Sequence, residues 1–323
     1  MSSTIRGHGP GARPRHLGSA PTWRRTLAIV ALSTVAAGCA APEYHADTPS
    51  VYTTAANCLQ SNRDNLQAAA GYALRILTVA TADPALPPWW DGGTTKEHPE
   101  WTLNDPYLGR GFEGALTREV AERLGVPENR IRFVPIDFTD AWAPGPKPFD
   151  FAIEQIPDRR DRATGVDFSE GYLDVEQALV SVQGSPISMA GSLEDLRDAM
   201  LGAPVGTVGL ASIRDDIRPT REPRAFADLR SAARALTTGQ IDGIVVDLPT
   251  ASFVTRAWVR DGVIVGRLPI AGARERFAMT LQEGSPILEC VNLALREIEE
   301  DGTLGELRRE WLPDGSDVPR IEG

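Results

Sequence analysis

Histidine is scarce in this chain of 323 residues, and the places where it occurs exclude several kinds of chemistry. The four histidines are His8, His16, His45 and His98, and none of them falls on a predicted strand or helix of the main body. A histidine base therefore has no position at the end of a predicted sheet. The sequence also contains no Ser-His-Asp set, no metal-ligand spacing and no glycine-rich phosphate loop. These absences predict a protein that is not an enzyme and that needs no metal or cofactor.

Basic residues are too few for a protein that binds nucleic acid. Lysine and arginine together number 33 against 44 acidic residues, which gives a formal net charge of −11. Residues 1–38 contain five arginines and no acids, so the remainder has 28 basic and 44 acidic residues and a net charge of −16. A surface of this sign repels phosphate backbones, which excludes DNA or RNA as a partner.

A long apolar run is missing as well. Residues 27–32 are apolar, but this run is much shorter than the ~20 residues that cross a bilayer, and it follows Arg24 and Arg25. A basic segment, a short apolar run and small residues before Cys39 are typical of a secretory signal peptide over residues 1–38. The Ala-Ala-Gly-Cys ending resembles a bacterial lipobox, which implies lipidation of Cys39 and anchoring to the cell membrane outside the cytoplasm. The alternative is a secreted protein in which Cys39 is incidental.

Only two further cysteines occur, Cys58 and Cys290. Outside the cytoplasm a disulfide bond persists, so these two residues are predicted to pair. The bond would join the segment before the first predicted strand to a helix near the C-terminus. Two free thiols are the alternative.

Strand-like and helix-like segments alternate through the main body, which predicts an α/β fold of two lobes, each with its own core. Residues 177–182 are predicted to carry the chain into the second lobe and residues 263–268 to carry it back, so two strands form the hinge. The predicted organisation is a signal peptide with a lipobox at 1–38, a lipid tether and N-terminal extension at 39–72, a first lobe at 73–176 and 267–313, a second lobe at 177–266 and a C-terminal tail at 314–323.

Residues 150–172 form the most informative stretch of the chain. A short apolar strand at residues 150–153 stops at Glu154 and Gln155, and a cluster of arginines follows at residues 159–162. A strand end that delivers polar groups into a turn is how open α/β sheets build a ligand crevice. The planar guanidinium group of arginine can hold a carboxylate through two parallel hydrogen bonds. A solvated run of charges on a loop is the alternative interpretation.

Five short motifs occur in a fixed order along the chain. They are Leu74-Arg75-Ile76 through Asp83 and Pro88-Trp89, Gly111-Phe112-Glu113 with a helix at 116–124, Arg162 with Val166-Asp167-Phe168-Ser169, Gly239-Gln240-Ile241-Asp242-Gly243 through Asp247, and Asp301-Gly302-Thr303-Leu304 with Trp311. In this order they resemble the extracytoplasmic solute-binding proteins of polar amino-acid ABC transporters, family 3. The resemblance covers about residues 73–313.

The resemblance implies a two-lobed periplasmic-binding-protein-like fold of type II, with a two-strand hinge and a ligand cleft between the lobes. It implies a monomer that closes over one amino acid and delivers it to an ABC-transporter permease, without a cofactor and without catalysis. The alternative is an enzyme on the same fold, similar to a dehydratase, that uses carboxylates in the cleft such as Glu154.

The resemblance also implies roles for individual residues. Arg162 would hold the ligand carboxylate and Asp247 would accept the ligand ammonium group. Ser212, at the start of the helix that follows a predicted strand at residues 205–209, would supply further carboxylate donors together with backbone N–H groups. Apolar walls would come from Leu86, Trp89 and Phe138, and the side-chain end of the cleft would be lined by Asp83, Glu154 and Gln155.

The chain departs from the family pattern after the strand at residues 150–153. The family usually has serine or threonine there, whereas this chain has Glu154, Gln155 and Pro157. A carboxylate at a strand end in a cleft is costly unless it is paired. The partner of Glu154 is either a neighbouring arginine, Arg159 or Arg160, or a cationic group on the ligand. With Asp83 and Asp247 nearby, the cleft would suit a cationic amino acid.

Overall fold

The computed structural model describes residues 53–70, 76–159, 164–269 and 275–323, and residues 49–323 belong to one compact unit. The predicted signal peptide and the lipidation site at Cys39 lie outside the described residues. Ten strands form two five-stranded sheets within the described residues, and helices pack against both. The predicted α/β fold of two lobes is confirmed.

The first sheet has the strand order β2-β1-β3-β10-β4. These strands are β1 (Leu77–Thr81), β2 (Ile131–Pro135), β3 (Phe151–Ala152), β4 (Val166–Val175) and β10 (Glu275–Gln282). Strand β1 pairs in parallel with β2 and β3, whereas β10 runs antiparallel to β3 and β4. Because β1, β2 and β3 are parallel, the loops that follow them lie at one edge of the sheet.

Four helices accompany this sheet, namely α1 (Ala55–Ala70), α2 (Phe112–Arg123), α6 (Leu288–Glu300) and α7 (Thr303–Trp311). In α2 the predicted apolar positions Leu116 and Val120 are fully buried, as expected for one face of an amphipathic helix. Cys58 of α1 and Cys290 of α6 form a disulfide bond with an S–S distance of 2.08 Å. The bond therefore fastens the N-terminal helix to the core of the first lobe.

The second sheet has the strand order β7-β6-β8-β5-β9. Its strands are β5 (Gln177–Val182), β6 (Leu201–Pro204), β7 (Arg224–Phe226), β8 (Gly243–Asp247) and β9 (Gly262–Arg267), and its helices are α3 (Val208–Ser212), α4 (Leu229–Thr237) and α5 (Leu248–Ala257). The chain passes from the first sheet to the second between β4 and β5, at Glu176, and returns between β9 and β10. In the described part of the chain, no helix combines the length and the apolar character that a membrane span requires.

Residues 314–323, predicted as a tail, pack along the second sheet. The N–H of Arg267 donates to the carbonyl of Pro319 over 2.8 Å, and the N–H of Ile321 donates back to the carbonyl of Arg267 over 2.9 Å. Further along, the N–H of Leu193 donates to the carbonyl of Glu322 over 2.8 Å. Ile321 is buried in the core of this lobe. The segment therefore extends the sheet beyond β9.

The predicted strand at residues 205–209 is wrong. Strand β6 ends at Pro204, and Gly206 adopts a left-handed backbone conformation with φ +78°, which ends the extended chain. Thr207 then caps α3, because its side-chain oxygen accepts a hydrogen bond from the N–H of Leu210 over 3.4 Å. Helix α3 starts at Val208, four residues before Ser212, which was expected at the start of a helix.

Candidate ligand-binding cleft

A cleft of about 630 Å³ lies between the two sheets. From the first sheet it is lined by residues that follow β1, β2 and β3, and from the second by residues that follow β6 and by the end of β8. The carboxyl ends of parallel strands meet at this edge of each sheet, where open α/β sheets bind their ligands. The stretch at residues 150–172 thus contributes its first turn to the cleft through Glu154, Gln155 and Pro157.

Asp247 is a carboxylate that the second lobe presents to the cleft. It ends β8 and caps α5, and its Oδ1 accepts a hydrogen bond from the N–H of Thr250 over 2.8 Å. Burial raises the pKa of Asp247 from 3.8 to about 6, and the hydrogen bonds with Thr250 oppose this rise. A carboxylate in this position can accept an ammonium group, and it loses its charge as the pH falls through about 6.

Glu154 is a carboxylate that the first lobe presents to the cleft. It follows β3, its exposed fraction is 2%, and neither of its carboxylate oxygens has a hydrogen-bond partner among the described residues. Burial raises the pKa of Glu154 well above 4.5, and the negative charges of Glu113, Asp137 and Asp140 raise it further. The arrangement favours the neutral acid until a cation reaches the site.

Glu113 holds the turn after β3 from behind the cleft, a role that sequence reasoning missed. Its buried carboxylate accepts hydrogen bonds from Tyr172 Oη over 2.6 Å, from the N–H of Gln155 over 2.8 Å and from Gln155 Nε2. Gln155 has a left-handed backbone with φ +56°, which a residue other than glycine adopts only when its surroundings hold it there. Burial raises the pKa of Glu113 from 4.5 to about 7, and its three hydrogen bonds oppose that rise.

Of the three residues predicted to form apolar walls, two line the cleft and one does not. Leu86 and Phe138 line the cleft, and so does Asp83, whose Oδ1 accepts hydrogen bonds from the N–H and hydroxyl of Thr102. Trp89 is not among the residues that line the cleft, and its side chain is fully buried. Its indole N–H donates to the hydroxyl of Thr250 over 2.8 Å, so Trp89 packs the first lobe against the second instead of forming a wall.

Ser212 does not stand at a helix start, so the carboxylate donors predicted for it are absent there. Ser212 is the last residue of α3, and it is not among the residues that line the cleft. The helix start that does line the cleft consists of Thr207, Val208 and Gly209. The signal for it is the Gly206-Thr207 pair, because glycine ends a strand and threonine caps a helix. Arg162 lies outside the described residues, so its role stays a prediction.

The charges that line the cleft are mainly negative. Among the described residues that line it, the acidic ones are Asp83, Asp137, Glu154, Asp228 and Asp247, and the basic one is Arg230. The guanidinium group of Arg230 lies 4.4 Å from the ring centre of Trp258, which also lines the cleft. Within the described ranges, no group of three or more histidine, cysteine, aspartate or glutamate residues is arranged to hold a metal ion. The described lining of the cleft therefore carries an excess of negative charge.

A cleft of this kind between two α/β lobes is what the type II periplasmic binding fold provides, and comparison with known families agrees. Residues 93–314 match the family model of bacterial extracellular solute-binding proteins, family 3, and the chain belongs to this family. The family and the type II fold predicted from the five motifs are both confirmed.

Similar proteins and structures are binding proteins for amino acids. The L-cystine-binding protein TcyJ of Escherichia coli (strain K12) is 28% identical over 212 residues, which cover 65% of this chain and 76% of that protein. The arginine-binding extracellular protein ArtP of Bacillus subtilis (strain 168) is 23% identical over 210 residues, or 62% of this chain and 77% of that protein. The structure of an ancestral arginine-binding protein bound to arginine is 26% identical with a TM-score of 0.58, and the match covers 74% of this chain and 99% of that chain.

Proposed function

We propose that this protein binds an amino acid in the cleft, closes its two lobes over it and delivers it to the permease of an ABC transporter. In this proposal the mature protein works outside the cytoplasm as a monomer, anchored to the cell membrane through lipidated Cys39. Membership of family 3 supports the binding role, and the named relatives bind cystine or arginine. The lipid anchor rests on the Ala-Ala-Gly-Cys motif alone.

The observation that carries the proposal is the position of Asp247 at the end of β8, on the wall of the cleft. We assign it to the ligand ammonium group. The ligand carboxylate is assigned to Arg162, with the backbone N–H groups at the start of α3 as further donors, since Thr207, Val208 and Gly209 also line the cleft. Leu86 and Phe138 supply apolar contacts from the first lobe. A ligand held in this way contacts both lobes at once.

Closure follows from that double contact. A ligand that touches both lobes binds the closed form better than the open one, so it shifts the equilibrium towards closure. The chain crosses between the sheets at Glu176 and again between β9 and β10, and these crossings are the proposed hinge. The permease is proposed to recognise the closed form.

The test is a calorimetric titration of the mature protein with amino acids, after a thermal-shift screen has found the ones that bind, because a ligand of the folded state raises the melting temperature. Asp247→Asn and Arg162→Ala are expected to abolish binding without unfolding the protein. The matched control is Asp317→Asn, an exposed acid far along the chain from the cleft residues. Unchanged affinity in Asp247→Asn would overturn the assignment.

The pH dependence of binding provides a second readout for Asp247. Its pKa of about 6 means that the carboxylate is ionised at pH 8 and protonated at pH 5. Because an ammonium group binds the ionised form, the affinity is expected to fall by up to about tenfold for each pH unit below that pKa. An affinity for a neutral amino acid that stays constant from pH 8 to pH 5 contradicts the role of Asp247.

The enzymatic alternative has its own test. Glu154 is a buried acid with a raised pKa, which is also a property of general acids. Prolonged incubation with each bound amino acid, followed by mass spectrometry, is expected to return the ligand unchanged. A product that forms with wild-type protein but not with Glu154→Gln would establish an enzyme in place of a binding protein.

A further inference from the structure

No hydrogen bond within the described part of the protein explains why a carboxylate is buried at Glu154. The residue lines the cleft with an exposed fraction of only 2%. Both of its carboxylate oxygens lack hydrogen-bond partners among the described residues. A buried carboxylate without partners is costly, whereas an apolar side chain in its place would not be. A group that completes the site from outside the protein would offset this cost.

The charged groups around Glu154 make it an acceptor for a cation. Glu113 of α2 lies behind it, and Asp137 and Asp140 lie on the loop after β2, so all three raise the local negative potential. The hydroxyl group of Tyr172 in β4 donates a hydrogen bond to Glu113 and makes none to Glu154. No hydrogen bond from the described residues reaches its oxygens.

Two described cations of this region, Lys147 and Arg230, make contacts of their own. The Nζ of Lys147 donates to the carbonyl oxygens of Asp140 and Ala143. Arg230 belongs to α4 of the second lobe, where its guanidinium group lies over the ring of Trp258. Acids of the second lobe, Asp228 and Asp247, face the same cleft and add no positive charge.

We propose that Glu154 accepts a guanidinium or ammonium group at the far end of the ligand side chain, so that the protein selects amino acids with cationic side chains. This proposal rests on the proposed function, in which Asp247 of the second lobe holds the α-ammonium group. Glu154 lies in the first lobe, so one ligand has to reach both carboxylates with two separate positive groups. A planar guanidinium group can pair with both oxygens of Glu154 through parallel hydrogen bonds.

An adjoining groove extends the site in the direction of the side chain. The groove has a volume of about 600 Å³ and shares Asp83 and Asp137 with the cleft. Its walls also include Asp140, Lys147 and the prolines at positions 144, 146 and 148. Three acids and one lysine of the described residues thus line the groove, the Nζ of Lys147 donates to backbone carbonyl oxygens, and the proline-rich loop leaves room for a long side chain.

Proton release from Glu154 on ligand binding provides a second measurement, besides affinity, that tests the proposal. Burial raises the pKa of Glu154, and a cation beside its oxygens lowers that pKa again. A cationic amino acid is then expected to release a proton on binding that a neutral one of similar length does not release. The release is measured by calorimetry in two buffers that differ in ionisation enthalpy.

The experiment titrates arginine, lysine and glutamine into the mature wild-type protein and into Glu154→Gln at pH 7.5. We expect the variant to bind arginine and lysine on the order of a hundredfold more weakly, because a buried charge pair has lost one partner, and to bind glutamine within about threefold of wild type. The buffer-dependent proton release with arginine should vanish in the variant. Glu310→Gln, which alters an exposed acid of α7, is the matched control and should leave every value unchanged.

The possible failures separate the two proposals. An equal loss for arginine and glutamine assigns Glu154 to the structure and overturns the inference, and so does an unchanged affinity for arginine. Wild-type protein that binds glutamine but neither arginine nor lysine overturns the inference and leaves amino-acid binding standing. Wild-type protein that binds no amino acid overturns both.

Discussion

Glu113 makes the stability of this protein depend on pH in a direction that can be calculated. The carboxyl group is fully buried, and its pKa rises from 4.5 to about 7 on folding because burial disfavours the charged form. Between these two values the folded protein holds a proton that the unfolded chain has lost. The stabilising effect of that proton is therefore complete below pH 4.5 and is lost as the pH rises to about 7.

The magnitude follows from the same two values. The interval from 4.5 to about 7, at about 1.4 kcal/mol for each pH unit, corresponds to about 3 kcal/mol of unfolding free energy. Glu113→Gln removes the titration but keeps an oxygen that can accept the hydrogen bond of Tyr172. The charge of Glu113 also raises the pKa of Glu154, so its removal weakens that second dependence in the same direction.

Urea unfolding of the ligand-free protein between pH 4.5 and pH 8, followed by tryptophan fluorescence, measures the effect. Wild-type protein is expected to lose about 3 kcal/mol more than Glu113→Gln over this range. A constant offset between the two proteins does not matter, because the new amide changes the hydrogen bonds equally at every pH. Two curves that run parallel from pH 4.5 to pH 8 would refute the reasoning.

Two further predictions concern the two ends of the described chain. Cys58→Ser together with Cys290→Ser is expected to lower the unfolding free energy by about 2–5 kcal/mol, since the bond closes a loop with a sequence separation of 232; a thiol count of two on the unreduced wild-type protein would contradict it. Ile321→Ala is expected to cost about 2–4 kcal/mol because its side chain fills the core of the second lobe, whereas Met189→Ala, at a side chain that is 91% exposed, should change the melting temperature little.

The parts of the fold that sequence predicts well are those in which side chains bury one face. Leu116 and Val120 recur at helical spacing and are buried together in α2, and the apolar run before Asp247 forms the central strand β8. The role of Asp247 was implied by the family resemblance, and the end of β8 places this residue at the edge of the sheet. In these places the local pattern and the tertiary contacts agree.

The failures arise where the pattern has two solutions or where the partner is distant. Val205 to Gly209 alternates in a way that suits a strand, but the left-handed Gly206 and the cap at Thr207 make a turn and a helix, so Ser212 was misplaced. Glu113 accepts a hydrogen bond from Gln155, which lies 42 positions away in the sequence, so no local spacing predicts that contact. The family resemblance implied that Trp89 forms a ligand wall, yet its side chain is fully buried and donates a hydrogen bond to Thr250 in the other lobe.

The segment that packs beside β9 also determines when the second lobe can be completed during synthesis. The guanidinium Nε of Arg267 donates to the carbonyl of Val318, which the ribosome adds 51 residues later. The first sheet is likewise incomplete until β10 is synthesised, because β10 lies between β3 and β4. The first sheet therefore needs a strand from the C-terminal part of the chain, and the second sheet needs the segment that packs beside β9. A nascent chain that has not reached β10 lacks the strand that joins β3 to β4.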